Sequence, residues 1–152
     1  MPLVVNGWRL LYHPIFGARY THLRAEVKRL RRTLPDDDFR VHPLVKLVAA
    51  VRRLILEIVP DDPNAAAFRL SGDLAAFRRA KGRGLPPRYR LFWVFSRQAR
   101  TIIFLYLNDE TTLRKEGARS DAYKVFHDLA RQGRVGQDFE ANLRAWLEGH
   151  HP

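Results

Sequence analysis

The chain has 152 residues, 46% of them hydrophobic, and a formal net charge of +11, which suits one domain over residues 1–152 with a hydrophobic core. No apolar run approaches the roughly 20 residues needed to cross a bilayer, and the N-terminus lacks the pattern of a signal peptide, so a cytoplasmic protein that does not enter a membrane is expected. The absence of cysteine excludes disulfides, thiolate catalysis and the usual structural zinc sites.

The first half of the chain predicts one strand and two helices. Residues 8–13 alternate in the manner of a short strand that is half buried on one face. From residue 14 to 34, apolar side chains recur every three or four positions, which indicates an amphipathic helix. Pro35 and the acidic run at 36–38 end this helix, and a second helix is predicted over 43–59. Two helices of similar length joined by a short turn predict an antiparallel hairpin.

After residue 60 the periodicity changes from helical to two-residue. One strand with a kink at Gly72 is predicted over residues 68–81, followed by a loop rich in Gly and Pro at 82–87. A further strand is predicted over 88–96, with its aromatic and aliphatic residues alternating between two faces. The segment 101–107 is apolar on both faces and should be a central strand, joined to its neighbour by a hairpin turn.

The end of the chain predicts two helices after a long loop. The loop covers residues 108–119, the first helix is capped by Ser120 and ends at Gly133, and the last helix begins at Asp138. The fold class is therefore α+β. An N-terminal strand and a helical hairpin should pack on a small, mainly antiparallel sheet, with two helices at the C-terminus.

The positive charge is concentrated in the strand region. Residues 69–100 contain nine Arg or Lys residues and one acid, Asp73. A folded surface with this much unpaired positive charge indicates a polyanionic partner such as RNA. Within this block Arg78, Arg83 and Arg88 are predicted to bind RNA, because cations that neutralise phosphates release condensed counterions.

Three cations of the block are candidates for a reactive site. Arg79 and Lys81 are two residues apart and project from the same face of a strand. Arg90 can lie opposite them if the two strands pair across the intervening loop. Arginine suits the stabilisation of a phosphorane, because its planar fork matches phosphate oxygens and keeps its charge. The alternative is a solvated outer face, but the scarcity of acids in the same region favours a site.

Tyr123 is the candidate for proton transfer. A phenol can exchange a proton with a ribose hydroxyl, and more readily when cations surround it. Helical periodicity also places Tyr123 with Phe126 and Leu129 on a buried stripe, so packing in the core is an open alternative. Arg114 and Arg119 lie just upstream in the loop, where arginines are ordinarily solvated. The histidines lack ligand-like spacing and are expected at the surface or at helix caps, and no metal or cofactor is expected.

The order of the elements and several short motifs resemble the RelE superfamily of toxin ribonucleases, and within it the YhaV toxins. The similarity covers almost the whole chain, and the combination in this order is specific although each motif alone is not. The motifs are Asn6-Gly7-Trp8, Leu70-Ser71-Gly72, Arg88-Tyr89-Arg90-Leu91-Phe92, the segment from Asn108 to Arg114, and Asp121-Ala122-Tyr123.

The resemblance implies a RelE-like fold and an mRNA-cleaving toxin of a type II toxin-antitoxin pair that acts on ribosome-associated RNA. It also implies a partner of the PrlF type, an antitoxin with a swapped-hairpin DNA-binding domain. Arg79, Lys81 and Arg90 match the basic positions of the pattern, and Tyr123 matches its C-terminal tyrosine. The pattern has an arginine six residues before that tyrosine, where this chain has Gly117. The resemblance therefore leaves Arg114 or Arg119 to take this role.

Three hypotheses follow for the function. The first is a metal-independent endoribonuclease in which a 2′-hydroxyl attacks the phosphate and a cyclic phosphate end results. The second is a non-catalytic toxin or a nucleic-acid- or ribosome-binding module on the same scaffold, since a fold does not dictate a function. The third is an RNA-binding protein that acts through charge alone, in which all cations contribute about equally.

Overall fold

A five-stranded sheet separates two layers of helices. The computed structural model of the chain describes residues 2–109 and 121–149. The strand order is β1-β2-β5-β4-β3, and every neighbouring pair is antiparallel except β2 and β5, which are parallel. The α+β class and the mainly antiparallel sheet are confirmed. The strands are β1 (Leu3–Val5), β2 (Trp8–Tyr12), β3 (Arg78–Ala80), β4 (Leu91–Ser96) and β5 (Thr101–Leu107).

The predicted helical hairpin follows β2. Helix α1 (Pro14–Thr33) packs against α3 (Pro43–Arg53), and α3 continues through a π-helical turn (Leu54–Ile58) into a last turn, α4 (Val59–Asp61). Both long helices begin with a proline preceded by a histidine cap, since His13 Nδ1 accepts from the Ile15 amide and His42 Nδ1 from the Leu44 amide.

The acidic run after α1 forms a helix that the sequence analysis did not predict. Asp36 to Asp38 make up the first turn of α2 (Asp36–Val41) instead of a plain break between two helices. Carboxylates at this position interact favourably with the free amides and the positive end of the helix dipole. Phe39 of α2 is buried and anchors this short helix.

Strand β5 lies at the centre of the sheet, as its sequence predicts. Its side chains are almost all buried, because α1 and α3 cover one face of the sheet and the C-terminal helices cover the other. The alternation predicted for β4 is also confirmed. Leu91 and Trp93 belong to the core cluster under the hairpin, whereas Phe92 and Val94 belong to the cluster under the C-terminal helices.

The kinked strand predicted over residues 68–81 is wrong. Only Arg78–Ala80 forms a strand there, with one isolated bridge between Arg69 and Arg78. The intervening chain makes short 3₁₀ turns at Ala66–Phe68 and Gly72–Leu74, in which backbone amides bond to carbonyls three residues earlier. The positive φ of +61° at Gly72 starts the second turn, so these backbone groups are satisfied locally and not by a neighbouring strand.

Two boundaries at the C-terminal end also differ from the prediction. Helix α5 (Ala122–Arg131) is capped by Asp121, whose carboxylate accepts from the Tyr123 amide at 2.9 Å, and the predicted cap Ser120 lies outside the described residues. The last helix is α6 (Phe139–Gly149), and Asp138 accepts from the Ala141 amide at its start, as predicted. Across residues 2–109 and 121–149, no helix combines the length and apolar character needed to span a membrane.

Candidate functional site

A basic pocket opens where the ends of β3 and β4 meet the N-terminus of α5. Its volume is about 500 Å³. Strands β3 and β4 pair in antiparallel fashion across the 82–87 loop, so the condition for bringing Arg90 close to the basic strand is met. The pocket is lined by Lys81, Gly82, Pro87, Arg88, Arg90, Asp121, Ala122 and Tyr123.

Arg90 and Tyr123 are in direct contact. The Arg90 Nε atom donates to the Tyr123 hydroxyl oxygen at 3.0 Å, and Arg90 NH1 donates to the Tyr89 carbonyl at 2.9 Å. The Tyr123 ring packs edge-to-face on Phe92, with 5.9 Å between the ring centroids. The phenol is therefore half in the core and half in the pocket, so packing in the core is compatible with a place at the pocket. Because its oxygen accepts from a cation, its own proton can be donated elsewhere.

Arg79 lies behind Tyr123 and is buried. Its side chain is on the same face as Phe92, its partner on β4, and its guanidinium carbon is 5.8 Å from the centroid of the Tyr123 ring. The guanidinium carbon of Arg90 is at the same distance. Only 9% of Arg79 is exposed, and its Nε and NH1 atoms meet no acceptor within the described parts of the chain. A buried cation whose donors lack acceptors costs folding free energy, because nothing in the described residues replaces the lost water.

Lys81 and Arg88 supply positive charge at the mouth of the pocket. Both are exposed, and Arg88 has a left-handed backbone with φ of +70°. The acidic residue in the described lining, Asp121, caps α5 through its carboxylate. The pocket therefore presents an excess of positive charge, and the first amides of α5 lie at its wall, an arrangement that suits a phosphate.

Two of the residues predicted to bind RNA lie away from this pocket. Arg78 is on the opposite face of β3 and donates to the Asn64 side chain at 2.9 Å and to the Phe77 carbonyl at 2.8 Å. Burial, and to a smaller degree Arg69, lowers the pKa of Arg78. Arg83 stacks on Phe68 in a separate groove. Arg114 and Arg119 lie outside the described residues.

The sequence analysis missed a buried asparagine that holds the arginine segment in place. Asn108 is completely buried, its Oδ1 accepts from the Arg90 amide at 2.7 Å, and its Nδ2 donates to the Arg88 carbonyl at 3.0 Å. Its backbone carbonyl accepts from Arg19 NH2 at 3.0 Å. The signal was available, because a polar residue that ends a strand apolar on both faces must find partners in the core.

Other chemistries have less support in the described residues. They contain no group of three or more His, Cys, Asp or Glu residues placed to hold a metal ion. Tyr106 lies on β5 beside Phe92, and burial, reinforced by the charge of Asp109, raises its pKa to about 12. A phenol of this kind stays protonated at neutral pH, so Tyr106 is a poor candidate for a base. The histidines predicted at caps include His13 and His42, which cap α1 and α3.

Comparisons with known proteins identify the family of the chain. Residues 10–146 match the family model of the toxin YhaV, which is described as a toxin with endonuclease activity of a toxin-antitoxin system. The chain is 37% identical to the ribonuclease toxin YhaV of Escherichia coli K12, over 98% of both chains. It is 37% identical to the toxin YhaV of strain O157:H7 and 36% identical to that of strain O6:H1, again over 98% of both chains. No solved structure is significantly similar to the chain. The matched family is the one that the motifs predicted. The chain therefore belongs to the YhaV family of toxin-antitoxin toxins with endonuclease activity.

Proposed function

We propose that this protein is a metal-independent endoribonuclease that cleaves mRNA, and that residues 1–152 act as one toxin domain. The observation that carries the proposal is the contact between Arg90 and Tyr123 in front of a buried Arg79 whose Nε and NH1 meet no acceptor in the described residues. The name of the K12 relative, a ribonuclease toxin, supports RNA as the substrate. The excess of cations around the pocket supports a polyanion.

In the proposed reaction the ribose 2′-oxygen attacks the adjacent phosphorus while its proton passes to solvent water, and the bond from phosphorus to the 5′-oxygen of the next nucleotide breaks. Tyr123, which gives its proton to that 5′-oxygen, is then reprotonated from solvent. The products are a 2′,3′-cyclic phosphate and a 5′-hydroxyl. Arg79 and Arg90 stabilise the negative charge that builds up on the phosphorane oxygens, and Lys81 adds charge at the mouth of the pocket. Tyr123 takes part in proton transfer. Since its oxygen accepts from Arg90, the geometry suits donation of the phenolic proton to the leaving 5′-oxygen.

The binding partners follow from the same proposal. Arg88 holds the RNA backbone next to the scissile phosphate, and Arg78 and Arg83 attract RNA over a wider surface. Arg114 or Arg119 contributes a further cation from the last loop. The substrate is mRNA associated with the ribosome, in the cytoplasm. The antitoxin is of the PrlF type, and its existence is supported by the family, whose members are toxins of toxin-antitoxin systems.

The test compares wild-type protein with Tyr123→Phe and Arg90→Ala on RNA in the presence of a chelator, with and without ribosomes. We expect each substitution to lower the cleavage rate by about 10²-fold or more, because each removes a group that acts in the transition state. Tyr12→Phe and Arg97→Ala are matched controls, since neither residue lines the pocket. Mapping of the ends should reveal cyclic phosphates.

The same experiment separates cleavage from binding. If wild-type protein binds RNA or ribosomes in a salt-sensitive manner but never cleaves, the non-catalytic module on this scaffold is correct. If Tyr123→Phe and Arg90→Ala cleave as fast as wild type, the protein can still be a ribonuclease, but the site lies elsewhere.

A further inference from the structure

A second groove lies on the other side of the sheet, between the two helices of the hairpin. It has a volume of about 370 Å³. Its floor is apolar, and the short helix α2 closes part of it through the buried ring of Phe39. Tyr20 on this floor belongs to the core cluster under α1 and α3, whereas Tyr123 packs on the opposite cluster. The groove is therefore separate from the basic pocket at β3, β4 and α5.

The walls of this groove are periodic. On α1 the cations Arg24, Lys28 and Arg31 line the groove at positions i, i+4 and i+7. At 1.5 Å per residue, this row extends over about 10 Å, which is two helical turns. On α3 the groove is lined by Val45, Val48, Ala49 and Arg52, again at helical spacing. Two ridges of this length form a channel that matches a helix of two to three turns.

Among the described residues, no carboxylate pairs with a cation of the groove. Arg24, Lys28, Arg31 and Arg52 make no ion pair with any carboxylate in the described residues. Glu26 is the acid of α1 and pairs with Arg29, and α3 contains no acid. An apolar floor between rows of unpaired cations is complementary to an amphipathic helix with carboxylates along the edges of its apolar face.

RNA fits this groove less well than an acidic amphipathic helix does. The flat faces on which bases could stack are already covered, since the Arg24 guanidinium carbon is 4.6 Å from the Tyr20 ring centroid and that of Arg31 is 4.7 Å from the Phe39 centroid. A phosphate backbone would also leave the accessible apolar side chains of the floor, Val27, Val45 and Ala49, uncovered, whereas an amphipathic helix would bury them.

We propose that the groove between α1 and α3 binds an acidic amphipathic helix of the antitoxin. The inference rests on the proposed function, because it requires that this toxin has a protein antitoxin. The bound helix would cover the apolar floor and neutralise the cations on both walls. It would hold the antitoxin on the toxin without occupying the basic pocket.

The test uses titration calorimetry to measure binding of the purified protein that neutralises the growth inhibition by this toxin. Ala49→Trp fills the groove from an exposed position without changing the charge, and Ala25→Trp on the exposed side of α1 is its matched control. Lys28→Glu combined with Arg52→Glu reverses one cation on each wall. Its control is Arg32→Glu combined with Arg97→Glu, which changes the net charge equally outside the groove. Circular dichroism melts establish that each variant is folded.

We expect both groove variants to weaken antitoxin binding by about tenfold or more and both controls to bind like wild type. Cleavage of RNA by the free toxin should be unchanged in all four. Wild-type affinity in the groove variants would overturn the proposal, and so would a loss of RNA binding with antitoxin binding intact, which would make the groove an RNA site. Because calorimetry does not depend on cleavage, a toxin that binds its antitoxin through the groove but cleaves no RNA would refute the proposed function alone.

Discussion

At the scale of single residues, we expect Arg79 to lower the folding stability while it contributes to the proposed activity. Its guanidinium is buried beside Tyr123, and two of its nitrogen atoms have no acceptor among the described residues. Removal of water from a cation costs free energy, and hydrogen bonds or ion pairs normally offset this cost. In the proposed complex with RNA a phosphate would supply acceptors, so part of the cost in the free protein would become binding free energy.

We therefore predict that Arg79→Met stabilises the protein while it abolishes most of the activity. The free energy of unfolding should rise by about 1–3 kcal/mol, because an apolar side chain of similar length replaces an unsatisfied buried cation. The rate of RNA cleavage should fall by about 10²-fold. Urea unfolding and a cleavage assay measure the two effects, with Arg97→Met as the exposed control. A variant that loses stability as well would show that Arg79 serves the fold and not the anion.

At the scale of secondary structure elements, α1 depends on a histidine that must remain neutral. His13 is buried, and its Nδ1 atom accepts a hydrogen bond from the Ile15 amide at the start of the helix. Burial lowers the pKa of His13 below its ordinary value of 6.5. Protonation would place a charge in the core and replace the acceptor by a donor.

The lowered pKa predicts a loss of stability in acid. Below about pH 6.5 the unfolded chain binds a proton that the folded chain still excludes, so stability falls with pH through this window. The contribution is fully present above pH 6.5 and is lost as the pH falls through the folded pKa. His13→Asn keeps a cap, worth about 1 kcal/mol, but does not titrate. Denaturant unfolding at pH 7.5 and pH 5.5 should show a smaller loss for His13→Asn than for wild type, and equal losses would exclude His13 as the cause.

The segment that carries Arg88 and Arg90 depends on Asn108 in a similar way. Asn108→Ala removes the acceptor for the Arg90 amide and the donor to the Arg88 carbonyl. We expect a loss of about 2 kcal/mol in stability, because buried backbone groups lose their partners. Because Arg90 is then held less firmly against Tyr123, kcat should fall by more than tenfold even where the protein is fully folded.

Asn142→Ala is the matched control for this prediction. Asn142 is also completely buried and bonds to the backbone of Gly136 and Asp138, outside the pocket lining. It should cost a similar amount of stability and leave kcat of the folded protein unchanged. If both variants lower kcat equally, Asn108 acts only through stability and does not position the arginines.

The elements with clear periodicity could be predicted from the sequence, and the elements set by local hydrogen bonds could not. Both long helices and the central strand follow from apolar spacing, and so does the convergence of Arg90 with the basic strand. The hairpin of β1 and β2 was missed, although the turn Asn6-Gly7 has the positive φ angles, +50° and +80°, that favour tight hairpins. The 3₁₀ turns around Gly72 were mistaken for a strand, because polar and apolar residues alternate there as well. Spacing alone also could not show that Arg79 is buried, since this depends on how α5 packs on the sheet.

At the scale of the whole molecule, two basic surfaces lie on opposite sides of the sheet. The pocket at β3, β4 and α5 combines cations with a phenol, whereas the groove between α1 and α3 combines cations with an apolar floor. Charges separated by more than about 8 Å are largely screened at physiological ionic strength. We therefore expect a charge on one surface to have little effect on binding at the other.

The separation of the two surfaces predicts which cations contribute to the salt dependence of RNA binding. A 2′-O-methyl RNA lacks the attacking hydroxyl, so its binding can be measured without cleavage. Removal of one phosphate contact should reduce the slope of log K against log salt concentration by about 0.7, the value for single strands. Arg88→Ala, at the pocket, should produce this change, whereas Arg52→Ala, at the groove, should leave the slope as in wild type.

Fluorescence anisotropy over a series of salt concentrations measures both slopes, and the two variants carry the same net charge. Any difference between them therefore depends on where the cation lies and not on the total charge. Equal decreases of the slope in both variants would mean that RNA binds over the pocket and the groove alike, as expected if charge alone attracts it. A decrease confined to Arg88→Ala would mean that RNA is drawn to the pocket where Arg90 and Tyr123 meet, which leaves the helical hairpin open to an antitoxin while RNA is bound.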